Sequence, residues 1–415
     1  MAKRRVVITG LGVIAPNGIG KEKFWENIKN GVSGISKITR FDASNYPTQI
    51  AGEVNDFDPH SFIPAKSLRR MHRSSQFAVA ASKLAFKDSG LVMKSEDVEK
   101  IGVIMGTSIG GQGWLYKQHL NLLKDGYRKI NPFSTIAVYP NACSTEVSIE
   151  LGLKGPSETF SFGCSSCLSA VAFARHMINV DLADIMLVGG AEAPLESPIF
   201  AGLCASRNLS IKNDEPQKAS RPFDKKRDGL VISEAAAVVV LEELGHALKR
   251  GAHIYSEIVG WGETCDAYHP IVPAPDVHQS ARAIGLALKD AKCESGNIDY
   301  ICAIGLSSPV TDIAETKAIK EVFKKQAYKI PISSIKSMVG QPFAAAGALQ
   351  IVTSTLAIEN NLIPPTINYE FPDSECDLDY TPNKSCSAKI DYVLTETFAF
   401  GGKNVVLIIK RYKSN

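Results

Sequence analysis

The chain has 415 residues, 45% hydrophobic and 21% charged, with a net charge of +3. That is ordinary usage for a large globular protein with a sizeable core, and the small charge excludes a general affinity for nucleic acid or membrane surfaces. Nine scattered cysteines without paired CxxC spacing argue against a disulfide scaffold and a structural zinc site, and the eight histidines show no ligand spacing, so no metal is expected.

The N-terminus reads as a first β-strand, Val6–Thr9, because its basic start leads into only a short apolar run ending in glycine. No apolar run approaches the ~20 residues a membrane span needs. With the reduced cysteines, this makes a cytoplasmic location the expectation.

In chain order, Val6–Thr9, Ile101–Met105, Glu158–Ser161, Ile185–Val188 and Ala236–Leu241 read as strands buried on both faces. An amphipathic helix over Met71–Ser89 lies between the first two, with Gly90 at its end. The second half places strands at Ile254–Gly260, Tyr300–Leu306, Pro331–Ser334, Tyr392–Thr395 and Asn404–Lys410, and helices at His278–Ala291, Asp312–Phe323 and Ala344–Asn360. Alternation of this kind predicts α/β layering. Two strand–turn–helix units correspond: Thr159–Cys164 with the small-residue helix to Val180, and Ile332–Val339 with Ala344–Asn360. Two pseudo-repeated halves are therefore expected, residues 1–250 and 251–415.

Cys164 carries the first chemical signal. It sits in Phe162-Gly163-Cys164-Ser165-Ser166, a sharp strand-to-helix turn that places sulfur at a helix N-terminus, where dipole and unpaired N–H groups favour thiolate. Read alone, a cysteine beside a strand is more often a small inert apolar residue than a nucleophile.

The surrounding motifs change that balance. Arg4 to Gly12, Phe41-Asp42, Gly106-Thr107-Ser108-Ile109-Gly110-Gly111, Gly189-Gly190-Ala191-Glu192, Ala219 to Asp224, Arg227-Asp228-Gly229, Asp266-Ala267-Tyr268-His269, Lys336-Ser337-Met338 and Phe400-Gly401-Gly402 run the whole chain. Together they resemble the β-ketoacyl-acyl-carrier-protein synthase II type of the thiolase superfamily. The resemblance implies a five-layered αβαβα thiolase fold, an obligate dimer, and no bound cofactor. Acyl substrates would arrive on the phosphopantetheine of an acyl carrier protein.

In that family a cysteine accepts the acyl chain, and two histidines assist decarboxylation of the malonyl extender and stabilise the enolate. Cys164 matches the cysteine. Ile304 stands where Tyr-Val-Asn-Ala-His-Gly-Thr-Ser-Thr-Pro would supply the first histidine, and Gln341 follows Lys336-Ser337-Met338-Val339-Gly340 where the second belongs. No histidine occurs after His278. Ile304 offers no hydrogen bond, and the neutral amide of Gln341 cannot shuttle protons as imidazole does, so general acid–base work is lost at both positions. Losing one enolate-stabilising donor typically costs ~10²–10³ in rate.

Further assignments rest on the resemblance. Lys336 and Glu315 match a buried polar pair near the site, structural or catalytic. Phe400 matches a gate on the flexible Gly401-Gly402 loop, and its N–H with that of Cys164 would form an oxyanion hole. Phe133, Tyr139 and Cys143 would border an acyl tunnel at the dimer interface. Lys66, Arg69, Arg70 and Arg73 would dock acidic carrier protein, a solvated basic face being the plainer alternative. His269 is not read as a replacement base.

The leading expectation is a chain-length-factor-like subunit of a type II polyketide or polyene synthase, forming a heterodimer with a homologous active ketosynthase and shaping the tunnel for an acyl or polyketide chain. Cys164 is retained, whereas many such subunits replace it. The alternatives are an active condensing enzyme with an atypical Cys164-centred site, and a non-catalytic carrier-protein scaffold.

Overall fold

The computed structural model describes residues 4–414. Ten strands build its main sheet: β1 (Val6–Ala15), β2 (Ile101–Gly106), β3 (Ser157–Phe160), β4 (Ile185–Glu192), β5 (Ala235–Glu243), β6 (Ser256–Cys265), β7 (Tyr300–Cys302), β8 (Ile332–Ser333), β9 (Tyr392–Ala399) and β10 (Lys403–Arg411). A two-residue strand, Gly18–Ile19, hairpins onto β1. The spatial order is β8-β7-β9-β10-β6-β1-β5-β4-β2-β3.

This order is two copies of one pattern. β3, β2 and β4 are mutually parallel neighbours, followed by antiparallel β5 and β1; β8, β7 and β9 are parallel, followed by antiparallel β10 and β6. The halves meet where Val7 and Ile8 pair with Glu257 and Ser256.

Helices α1 (Arg73–Asp88), α2 (Ser166–Asn179), α3 (His278–Ala291), α4 (Thr311–Phe323), the short α5 (Lys336–Val339) and α6 (Ala345–Asn360) complete the layers. α2 and α6 pack together in the middle, α6 touching β4 and β5 of one half and β9 and β10 of the other; α1 covers the first half-sheet outside and α3 the second. The result is the thiolase fold, αβαβα. Every residue of α6 from Ala345 to Ile358 is buried, as expected of a helix apolar or small all round.

The helix expectations agree with these elements to within two residues. One strand expectation is corrected: Glu158–Ser161 is not buried on both faces. β3 is one of the sheet's two terminal strands, its Ser157 and Glu158 facing solvent, because the polar side chains need no cover where the sheet ends. β7 is also shorter than expected, since the backbone leaves the sheet after Cys302 to make a turn with Gly305 at φ 39° and Ser307 at φ 62°. A Cβ on Gly305 would lie 2.5 Å from the Ser334 Cβ, so the turn requires glycine.

Candidate active site

Each half of the fold delivers one side chain to the same point. After β3 the chain turns through Gly163, at φ 68°, and presents Cys164 just before α2; after β8 it runs through α5 and presents Gln341 just before α6. Because α2 and α6 pack together, the two positions converge. Gln341 Nε2 donates to Cys164 Sγ across 3.0 Å, while its Oε1 is buried without a hydrogen-bond partner.

The pocket wall is apolar. Cys164 packs in one cluster with Ile304, Leu306, Phe343, Leu195, Phe200 and Ala399. The 399–400 loop lies against the nucleophile turn, since a Cβ on Gly163 would stand 3.9 Å from the Phe400 carbonyl oxygen. Phe400 is half-buried and lines, with Ile304, Phe398 and Asp266, a narrow crevice, and Gly401 and Gly402 both adopt positive φ at 84° and 74°.

Burial opposes the expected activation of the thiol. Cys164 is 6% exposed, and burial pushes its thiol up to about 11; the Gln341 hydrogen bond and the Lys336 charge pull down, while Glu192 pushes up. Desolvation outweighs the helix N-terminus because an anion here has few partners to replace lost water.

No histidine bonds to the sulfur among the described residues. His72 bonds to Ser74 and Ser75, His246 to Glu242, His253 to Glu359, and His269 accepts from the Ile271 and Val272 N–H groups. Gln341 bonds the sulfur directly, and Ile304 belongs to the same apolar cluster as Cys164.

Lys336 and Glu315 are both buried, but they form no direct ion pair. Glu315 accepts from the Ile304 N–H at 2.7 Å and the Gly305 N–H at 2.8 Å, so it grips the turn carrying Ile304. Lys336 Nζ is buried without a hydrogen-bond partner, and burial lowers it to about 8. Sequence reasoning missed Glu396 on β9, fully buried beside Glu315 and Lys336. Its signal was a carboxylate in the otherwise apolar and threonine run Tyr392–Ala399. It also missed Glu192 as a support: its carboxylate accepts from the Thr107 hydroxyl and the Ser108 and Ile109 N–H groups, with burial raising it to about 7.

The remaining assignments separate. Lys66 and Arg69 are exposed, whereas Arg70 is tied to Glu146 and Glu150 and Arg73 to the buried Glu234. Phe133 and Tyr139 are exposed; Cys143 is fully buried, with Ser75 Oγ 3.8 Å from its sulfur. A further apolar groove of about 870 Å³ runs beside β3, lined by Phe160, Phe162, Phe173, Val180 and Trp261. No helix among the described residues is long and apolar enough to cross a membrane.

Comparison with known proteins agrees with this architecture. A model of the N-terminal domain of β-ketoacyl synthase matches residues 3–247, and a model of its C-terminal domain matches residues 255–370. The chain is 46% identical to a 3-oxoacyl-[acyl-carrier-protein] synthase 2 of Coxiella burnetii over 99% of both chains. It is 43% identical to one of Synechocystis sp., over 100% of this chain and 99% of the relative. Two solved structures superpose with TM-score 0.92 at 35% identity, over 99% of this chain and 100% of theirs: the ishigamide ketosynthase/chain length factor, and a type II PKS acyl-carrier protein in complex with its ketosynthase bound to the hexaketide.

Proposed function

The chain belongs to the β-ketoacyl synthase family, and from that premise we propose that it takes an acyl group onto Cys164 from a carrier protein's phosphopantetheine but does not perform decarboxylative condensation by itself. In the exchange the Cys164 sulfur bonds to the acyl carbon, the phosphopantetheine sulfur leaves, and the thiol proton ends on that departing sulfur. The Gln341 amide orients the nucleophile, and the N–H groups of Cys164 and Phe400 are the proposed oxyanion donors.

The observation that carries this reading is the pairing of a retained, buried sulfur with an amide and an aliphatic side chain where proton-transferring groups would be needed. Such a protein works as a chain-length-factor-like subunit: a homologous active ketosynthase completes the heterodimer, and this chain shapes the tunnel. Phe133 and Tyr139 would face that partner, and Lys66 with Arg69 would meet the carrier protein.

Full-length identity of 46% to a 3-oxoacyl-[acyl-carrier-protein] synthase 2 supports a second reading, an active condensing enzyme with an atypical site. One assay separates the readings. The purified chain is mixed with acyl-carrier and malonyl-carrier donors and followed by intact mass. A slow acyl adduct on Cys164 without extended product supports the first reading, rapid extended product the second, and no adduct at all leaves a carrier-binding scaffold. Coexpression with a ketosynthase carrying both histidines tests the heterodimer.

A further inference from the structure

Glu396 is a carboxyl with no obvious reason to be tolerated where it is. Its residue is fully buried, and no N–H or O–H group reaches either of its oxygens. The groups that act on it are the carboxyl of Glu315, across from β9 to α4, and the Lys336 ammonium. Two carboxylates cannot share such a contact unless one of them carries a proton.

The neighbours decide which one. Glu315 already receives two backbone N–H groups, from Ile304 and Gly305, which favour its anion. Glu396 receives none. Lys336 from α5 supplies one positive charge nearby, and Asp312 on α4 is separately held by the Phe223, Leu306 and Ser308 N–H groups and lies 3.7 Å from Arg227. Cys302 on β7 and Cys164 are the remaining titratable groups facing Lys336. One ammonium, one carboxylate and one protonated carboxyl make the buried cluster neutral, which is the arrangement burial demands.

We infer that Glu396 is a positioning residue that keeps its proton and donates it to Glu315, holding the carboxylate that grips the Ile304–Gly305 turn beside Cys164. The backbone supports this placement. Gln350 Nε2 on α6 donates to the carbonyls of Cys302, Ala303 and Glu396, so one amide locks β7 and β9 together at the level of the carboxyl pair. Burial and the Glu315 charge also raise Glu396 well above the usual carboxyl range.

The inference rests on the function proposed above only through its activity readout. The test uses the whole chain as wild type, E396Q and E396L. Infrared difference spectra of wild type against E396Q are expected to show a protonated-carboxyl carbonyl band that the variant lacks; no such band overturns the inference. A carboxyl with a raised folded pKa loses its stabilising contribution as pH rises, so the Tm of E396Q should gain on wild type from about pH 5 to about pH 9. A constant Tm difference means Glu396 is ionised and also overturns it. Acylation of Cys164 should stay within about twofold in E396Q, which retains a donor, and fall about tenfold in a folded E396L. Wild-type acylation by E396L refutes the positioning role, and complete failure of wild type to acylate sinks the function proposed above while the infrared result still decides this one.

Discussion

Gln341 and Cys164 occupy equivalent positions in the two halves of the fold, each between an outer parallel strand and a central helix, and their side chains meet at 3.0 Å. The amide gives the sulfur a hydrogen bond but cannot remove its proton.

Thiol reactivity is the first consequence. With burial pushing the thiol up to about 11, thiolate is a small minority at neutral pH. Iodoacetamide modification of Cys164, located by peptide mapping, is expected to be slow at pH 7 and to climb steadily with pH. Q341L should move the rise to still higher pH. Fast labelling of the wild type at neutral pH contradicts this.

Restoring imidazole tests the function. Q341H alone should yield little condensation, because Ile304 still leaves the opposite side of the pocket without a donor. I304H/Q341H should release extended product at least ~10² faster than either single variant, since residues that act as a unit are not additive. Equal rates for all three, measured with malonyl-carrier donor, argue that condensation fails for another reason.

Acid sensitivity should trace to His72. Its ring is 4% exposed between Ser74 and Ser75, and burial lowers it to about 4. The folded state therefore binds fewer protons than the unfolded state, so stability present above pH 6.5 is lost as pH falls towards 4. The loss is about 3 kcal/mol when complete. H72N should flatten the wild-type decline in denaturant midpoint across that window; an unchanged slope excludes His72 as the cause.

The basic cluster should divide by variant. R73A removes the closest charged partner of fully buried Glu234, leaving Arg40 3.9 Å away, and is expected to cost about 3–5 kcal/mol in urea unfolding. K66E and R69E should leave stability within about 0.5 kcal/mol and weaken carrier-protein binding in a salt-dependent manner. If R69E binds carrier protein as tightly as wild type, the docking role passes elsewhere.

Much of this was legible because it depends on local pattern. The repeated strand–turn–helix pattern marked α2 and α6 as counterparts, and they pack together in the structure; the interrupted motifs singled out Ile304 and Gln341. Solvation was not legible. The turn at Gly163 suggested a thiolate, but whether a helix N-terminus or desolvation wins depends on what surrounds the sulfur, and Leu195 with Phe200 comes from one distant segment and Ile304 from another. Glu396 escaped for the same reason, since its partner Glu315 belongs to another element. Arg73 looked like a surface cation until Glu234, 161 residues away, proved to be beneath it.

β3 ends at Phe160, four positions before Cys164, and is one of the two strands, with β8, that have no neighbour on their outer side. A second chain extending the sheet there would press on the same short peptide that holds the sulfur. Under the proposed heterodimer, association at this edge and alignment of the nucleophile would be mechanically linked, and the companion's identity would be felt at the thiol without any side chain having to reach across.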